Sequence, residues 1–220
     1  MAEFIENIDM FLKGTGETLY MTLLSTLIAY LIGLPLGILL IITDKNGLKP
    51  IKWLNVILNA IVNIFRSIPF LILLVWITPV TRAIVGKSYG TNAAIVPLVI
   101  AAAPFVARLI ESSIKEVDSG VIEAAKSMGA THWQIVTKVL LSEAKPSLFI
   151  GSAIAVTTIL SYSAMAGFVG GGGLGDIATR FGYYRYNDTI MTISVILLVI
   201  VVQVLQEIGM LIAKKSDKRN

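Results

Sequence analysis

Several uninterrupted apolar runs, each close to the length that crosses a lipid bilayer, constrain this chain more than any other feature. About 20 apolar residues span a hydrocarbon core of about 30 Å. A backbone in that core must satisfy its own hydrogen bonds, and a continuous helix does so within one segment. The runs predict spans over about 18–43, 68–80, 93–109, 147–168 and 189–212, and hence an all-α integral membrane protein with five transmembrane helices. Composition agrees: 55% of the 220 residues are hydrophobic and only 15% are charged. A soluble domain is nearer half apolar and a quarter charged.

Five spans put the termini on opposite sides, and the basic residues choose between the two arrangements. With the N-terminus outside, the inner segments carry eleven Lys and Arg (Lys45, Lys49, Lys52, Lys115, Lys126, Lys138, Lys145, Lys214, Lys215, Lys218, Arg219). The outer segments then carry five: Lys13, Arg82, Lys87, Arg180 and Arg185. Basic residues favour the cytoplasmic side, so we expect the N-terminus outside and the C-terminus in the cytoplasm. The same rule accounts for the net charge of +4 without a nucleic-acid partner. The opening residues lack a basic start, an apolar run and a small-residue cleavage site, so the first span is expected to double as the targeting signal.

Residues 4–12 read as a short amphipathic lead-in with Phe4, Ile8, Phe11 and Leu12 on one face, and Gly14 and Gly16 are expected to break it. Ala29, Gly33 and Gly37 recur at four-residue spacing in the first span. They allow either a close helix approach or glycine that is merely tolerated, and Pro35 between them is expected to kink the span. Asn55, Asn59 and Asn63 form one polar stripe on a helix that leads into the second span. Arg66 is expected near the interface, where its stem lets the charge reach water. Residues 81–92 read as a connection. Arg108 and Glu111 are spaced to pair.

One long segment of mixed charge, 118–143, interrupts the apolar pattern. It reads as two short helices joined at a glycine. Asp118 or Ser119 can cap the first, and Gly129 can leave it in the left-handed conformation. Thr131 and Gln134 have the spacing of a capping box ahead of Ile135, Val136, Val139 and Leu140. Such a module serves either as a docking surface for another protein or as a solvated loop that happens to be helical.

Catalytic and cofactor chemistry find little support. The glycines of 170–175 fit G-x-G-x-x-G, but they follow a span and not a strand, and no G-K-[ST] follows them. They read as a flexible outer turn that ends the fourth span. His132 is the only histidine and there is no cysteine, so no metal or cofactor is expected. Ser161 and Ser163 have no base at membrane depth. Tyr162 and Met165 share a helix face in the fourth span and are candidates for a translocation path, with ordinary packing as the alternative.

The sequence Glu123-Ala124-Ala125 followed after three residues by Gly129 resembles the EAA loop of the permease subunits of bacterial ABC importers. The stretches NIFRSIPFLILLVW, AAIVPLVIAAAPFVAR and SYSAMAGFVGGGGLGDIATRFGYYRYN are similar to the methionine-import branch of that family. The resemblance implies a type I ABC importer permease fold, with a lead-in at 1–14, a transmembrane domain at 15–212 and a basic, disordered tail at 213–220. It implies that Glu123, Ala124, Ala125, Met128, Gly129 and Ala130 couple the chain to an ATPase. It further implies a homodimer in the bacterial inner membrane, two ATP-binding ABC subunits, an extracytoplasmic substrate-binding (lipo)protein, surrounding lipid, and methionine (D- or L-) as cargo. ATP hydrolysis then belongs to a partner chain. A different amino acid, an osmoprotectant, or a membrane-embedded enzyme are the competing readings. The family closes its loop with Leu-Pro, whereas here Leu141 precedes Ser142 and the proline is Pro146; the second loop helix should therefore run further.

Overall fold

The computed structural model describes residues 7–216, and all regular structure among them is helical. The elements are α1 (Ile8–Thr43), α2 (Lys52–Ser67), α3 (Phe70–Trp76), α4 (Thr78–Val85), α5 (Thr91–Lys115), α6 (Ser119–Ser127), α7 (132–143), α8 (Lys145–Ala166), α9 (Gly173–Ile177) and α10 (Asp188–Ser216). Within α7 the middle turn, Ile135–Leu140, is π-helical, as is Ala178–Tyr183 after α9. Among the described residues four stretches are long and apolar enough to cross a membrane: Ile8–Thr43, Thr91–Lys115, Lys145–Tyr183 and Asp188–Ser216. Counted together as one broken span, α2 and α3 would make a fifth.

Three expectations require correction. The break at Gly14 and Gly16 is absent, and α1 runs continuously for 36 residues. Gly14 serves packing instead, since a Cβ there would strike the Ile177 side chain. Of the proposed apolar face only Phe11 is buried, whereas Ile8 and Leu12 stay exposed; Phe4 lies outside the described residues. The second correction concerns 68–80, which is not one helix. Pro69 stands in extended conformation before α3, and Pro79 opens α4. Proline cannot continue a helix begun before it, so these two residues bracket a seven-residue helix, and α4 occupies part of the expected connection. Third, Lys214–Ser216 belong to α10, not to a disordered tail; 217–220 lie outside the described residues.

The chain divides into two compact units. One comprises the described residues through Ile28, with Ile68–Ala102 and Val156–Gln206. Its core joins Phe11, Leu174, Ile177 and Ile190. The glycine run is no loose turn here. Gly173 N–H donates to Glu17 Oε2 at 2.8 Å, and Leu174 N–H donates to Thr18 Oγ1 at 2.9 Å. Both Gly172 and Gly173 have positive φ, and Gly167 and Gly175 have no room for a Cβ against neighbouring backbone. These glycines are required by close contact rather than by mobility.

The other unit comprises Ala29–Ser67, Ala103–Ala155 and the described residues from Glu207. In it the small residues of α1 do what their spacing permits. Ala29 is fully buried, and Gly33 and Gly37 lie directly on α5. A Cβ on Gly37 would sit 2.7 Å from Ala107 O and 2.9 Å from Ile110 Cβ. Leu40, Val62 and Ala107 close the core beside this contact. Overpacking typically costs about 1–3 kcal/mol, so Gly37→Leu should lower stability by at least that much. Unfolding in detergent, compared with Gly16→Leu where nothing lies within 4 Å, measures the difference.

Candidate functional site

The loop 118–143 folds as its local chemistry dictates. Asp118 caps α6, its carboxylate accepting from Gly120 N–H at 2.7 Å. Gly129 leaves the helix at φ +79. Its N–H donates to Lys126 O at 2.9 Å, and Ala130 N–H donates to Ala125 O at 3.1 Å, the six-to-one bond of a Schellman turn. The capping box is complete: Gln134 N–H donates to Thr131 Oγ1 at 3.3 Å, and Thr131 N–H donates to Gln134 Oε1 at 2.8 Å. Ile135, Val136 and Leu140 are then buried and anchor α7. The second loop helix extends to Glu143, and Pro146 falls in the first turn of α8.

Two helices fixed at both ends make a rigid platform, and burial sorts its residues. Ala125 is only 4% exposed, so it packs α6 onto its own unit and is not a surface residue. Glu123, Ala124 and Gly129 are exposed, and Ala130 is half-buried. Val121, Ala124 and Met128 lie on one exposed face at i, i+3 and i+7. Met128 is 81% and Trp133 74% exposed. Both are large apolar side chains left uncovered on the capped module. Sequence reasoning missed Trp133 and Val121. The spacing of Trp133 to Val136 and Leu140 reads as core, but it sits in the first turn of α7, where nothing covers it.

Tyr162 and Met165 lie on α8 in the other unit. Tyr162 stacks on Phe70, with ring centroids 4.6 Å apart and planes 6° from parallel. Met165 is exposed. The structure thus separates them: Tyr162 is held by α3, and Met165 is free to meet another molecule.

A polar chain absent from the sequence reading threads α1, α2 and α5. Asn55 Nδ2 donates to Leu40 O at 2.9 Å and to Thr43 Oγ1 at 3.1 Å. Asn59 Nδ2 donates to Asn55 Oδ1 at 2.9 Å. Arg108 Nη2 donates to Asn59 Oδ1 at 2.6 Å and to Asn63 Oδ1 at 2.9 Å, while Nη1 donates to Glu111. Lys115 Nζ donates to the other Glu111 oxygen at 2.7 Å and lies 3.9 Å from Asp44. The expected pairing of Arg108 with Glu111 is therefore one link of a longer series. Glu111 is nearly fully buried and is shared by two cations, Arg108 and Lys115. Arg66 is exposed.

Comparison with known proteins follows the same lines. Residues 33–219 match the family model described as binding-protein-dependent transport system inner membrane component. The chain is 52% identical over 216 residues to the probable D-methionine transport system permease protein MetI of Vibrio cholerae, covering 98% of this chain and 96% of that one. It is 51% identical over 158 residues to the D-methionine transport system permease protein MetI of Escherichia coli K12, covering 72% and 73%. Among solved structures it resembles a chain of the inward-facing MetNI methionine ABC transporter, with TM-score 0.95, 47% identity and coverage of 97% and 99%. An amino acid ABC transporter at 22% identity and TM-score 0.81 shares the fold.

Proposed function

This chain belongs to the family of binding-protein-dependent transport system inner membrane components, and from that premise we infer that it is the permease subunit of an ATP-driven methionine importer. It is a multi-pass membrane protein and a transporter subunit, not an enzyme. The observation that carries the cargo is likeness to methionine permeases along nearly the whole chain. In this reading two copies form one path, and a separate ATP-binding chain docks on each 118–143 module. Support for that docking comes from Met128, Trp133, Ala124 and Val121, which form an apolar surface on a module too polar to lie in lipid, with Glu123 available to a basic group on the partner. Gly129 and Ala130 set the exit from α6, and Ala125 holds α6 in place. The excess of basic residues around this loop favours the cytoplasmic side for it and for the C-terminus, with the N-terminus outside. A substrate-binding protein on the outer face would deliver methionine. ATP-driven closure of the partner pair then moves the two modules together and opens the path outward, a rigid-body switch.

The test is ATP hydrolysis by the assembled complex against a panel of amino acids. Methionine should stimulate it, whereas a polar amino acid or a quaternary ammonium osmoprotectant should not; the reverse preference would remove the cargo assignment. Met165, exposed on α8, is the proposed gate of the path. Met165→Ala should lower methionine-stimulated uptake at least about threefold at unchanged abundance, because a gate that no longer closes fails to couple opening to ATP. Unchanged rate and substrate range would assign Met165 to packing.

A further inference from the structure

On the same side as the coupling loop, a groove of about 490 Å³ opens between the α1–α2 turn, the end of α5 and α6. Its walls include Ile41, Leu48, Ile114 and Ile122, and three lysines against one aspartate stand around it. The turn beneath it is well fixed: Asn46 N–H donates to Asp44 Oδ1 at 3.1 Å, and Lys49 N–H donates to Ile42 O at 3.0 Å. Lys115 already serves Glu111 and Asp44. Lys45 and Lys126 are exposed, and neither ammonium has an ion pair or hydrogen bond among the described residues. On α6, Lys126 and Ile122 are four apart and line the groove, while Ala124 and Met128 lie on a different face. The groove is therefore independent of the proposed ATPase surface.

We propose that this groove binds one anionic phospholipid, its phosphate between Lys45 and Lys126 and its acyl chain against Ile41 and Ile114. Three features together favour this occupant. The groove begins where α1 and α5 end, at Thr43 and Lys115, a place that the transmembrane reading puts at headgroup depth. It combines an apolar wall with two uncommitted cations, and basic pockets between spans are recognised lipid-headgroup sites. Its volume falls within the range of about 300–1,000 Å³ that small-molecule pockets occupy. A bound lipid would tie the α1–α2 turn to α6, so the membrane itself would set how the coupling helix is held. The inference rests on the transmembrane reading and not on the cargo.

Native mass spectrometry of the assembled transporter, extracted from bilayers of phosphatidylcholine containing phosphatidylglycerol, tests it. The wild-type complex should retain phosphatidylglycerol selectively. Each lysine near the surface contributes roughly fivefold, so Lys45→Gln with Lys126→Gln should weaken retention about twenty-five-fold. Lys214→Gln with Lys215→Gln, outside the groove, should retain it. Equal retention by the groove variant overturns the proposal, as does equal loss by the α10 variant, which would mean diffuse attraction. Displacement of the lipid by inorganic phosphate alone would mean a free-anion site and overturns it too. Methionine uptake is not the readout, so failure here leaves the transport assignment standing.

Discussion

Gly129→Asp should abolish the proposed ATP-driven uptake while leaving the protein in the membrane. Gly129 has φ +79, and nothing lies within 4 Å of where its Cβ would be. The first carbon of a side chain there therefore meets no other atom of the chain. The backbone penalty for a left-handed L-residue is about 1–2 kcal/mol, and aspartate is among the residues that bear that region best. The fold can absorb that cost. The proposed docking should not, because the new carboxylate would stand at the exposed exit from α6 beside Met128. Losing about 1.4 kcal/mol of docking energy already costs tenfold in affinity, so a drop in uptake well beyond tenfold is expected. Gly129→Ala separates the two causes, since it carries the backbone penalty without bulk or charge and should retain most activity. Uptake at the wild-type rate by Gly129→Asp, at wild-type abundance, would end the coupling assignment.

Arg108→Leu should produce the largest loss of stability. Arg108 donates to Glu111, Asn59 and Asn63, and its side chain is 20% exposed. Its removal leaves a carboxylate that is 8% exposed with Lys115 as its remaining cation. Stripping one partner from a buried pair costs about 3–5 kcal/mol, and the lysine that stays places this case near 3 kcal/mol. The double variant Arg108→Leu, Glu111→Leu removes the uncompensated charge and should recover most of that loss. Unfolding in detergent measures both. If the double variant is no more stable than the single one, the penalty is lost packing and not a stranded charge.

What was legible in the sequence was local. The caps at Asp118 and Thr131, the exit at Gly129 and the Arg108–Glu111 pair each depend on residues within a few positions of one another, so spacing alone finds them. The small residues of α1 were legible as an opportunity, and only α5 lying on Gly33 and Gly37 made it a contact. What distant residues decide was not legible. Gly14 read as a helix breaker because Ile177, far along the chain, was not visible. The asparagine stripe pointed to a polar neighbour without naming Arg108. Tyr162 and Met165 looked equivalent until Phe70 claimed one of them. The sharing of roles between Ala124 and Ala125 needed burial, which adjacent alanines cannot disclose.

Arg108 grips α2 through amides placed four residues apart, and that spacing sets a rule for any sliding of one helix along the other. Asn55, Asn59 and Asn63 are like rungs about 6 Å apart along the axis. Halfway between rungs the guanidinium would hang in an apolar gap. One turn toward the start of α2 it would find Asn55 and Asn59 instead. Were α2 to slide past this point, the spacing of its asparagines would set the length of each step.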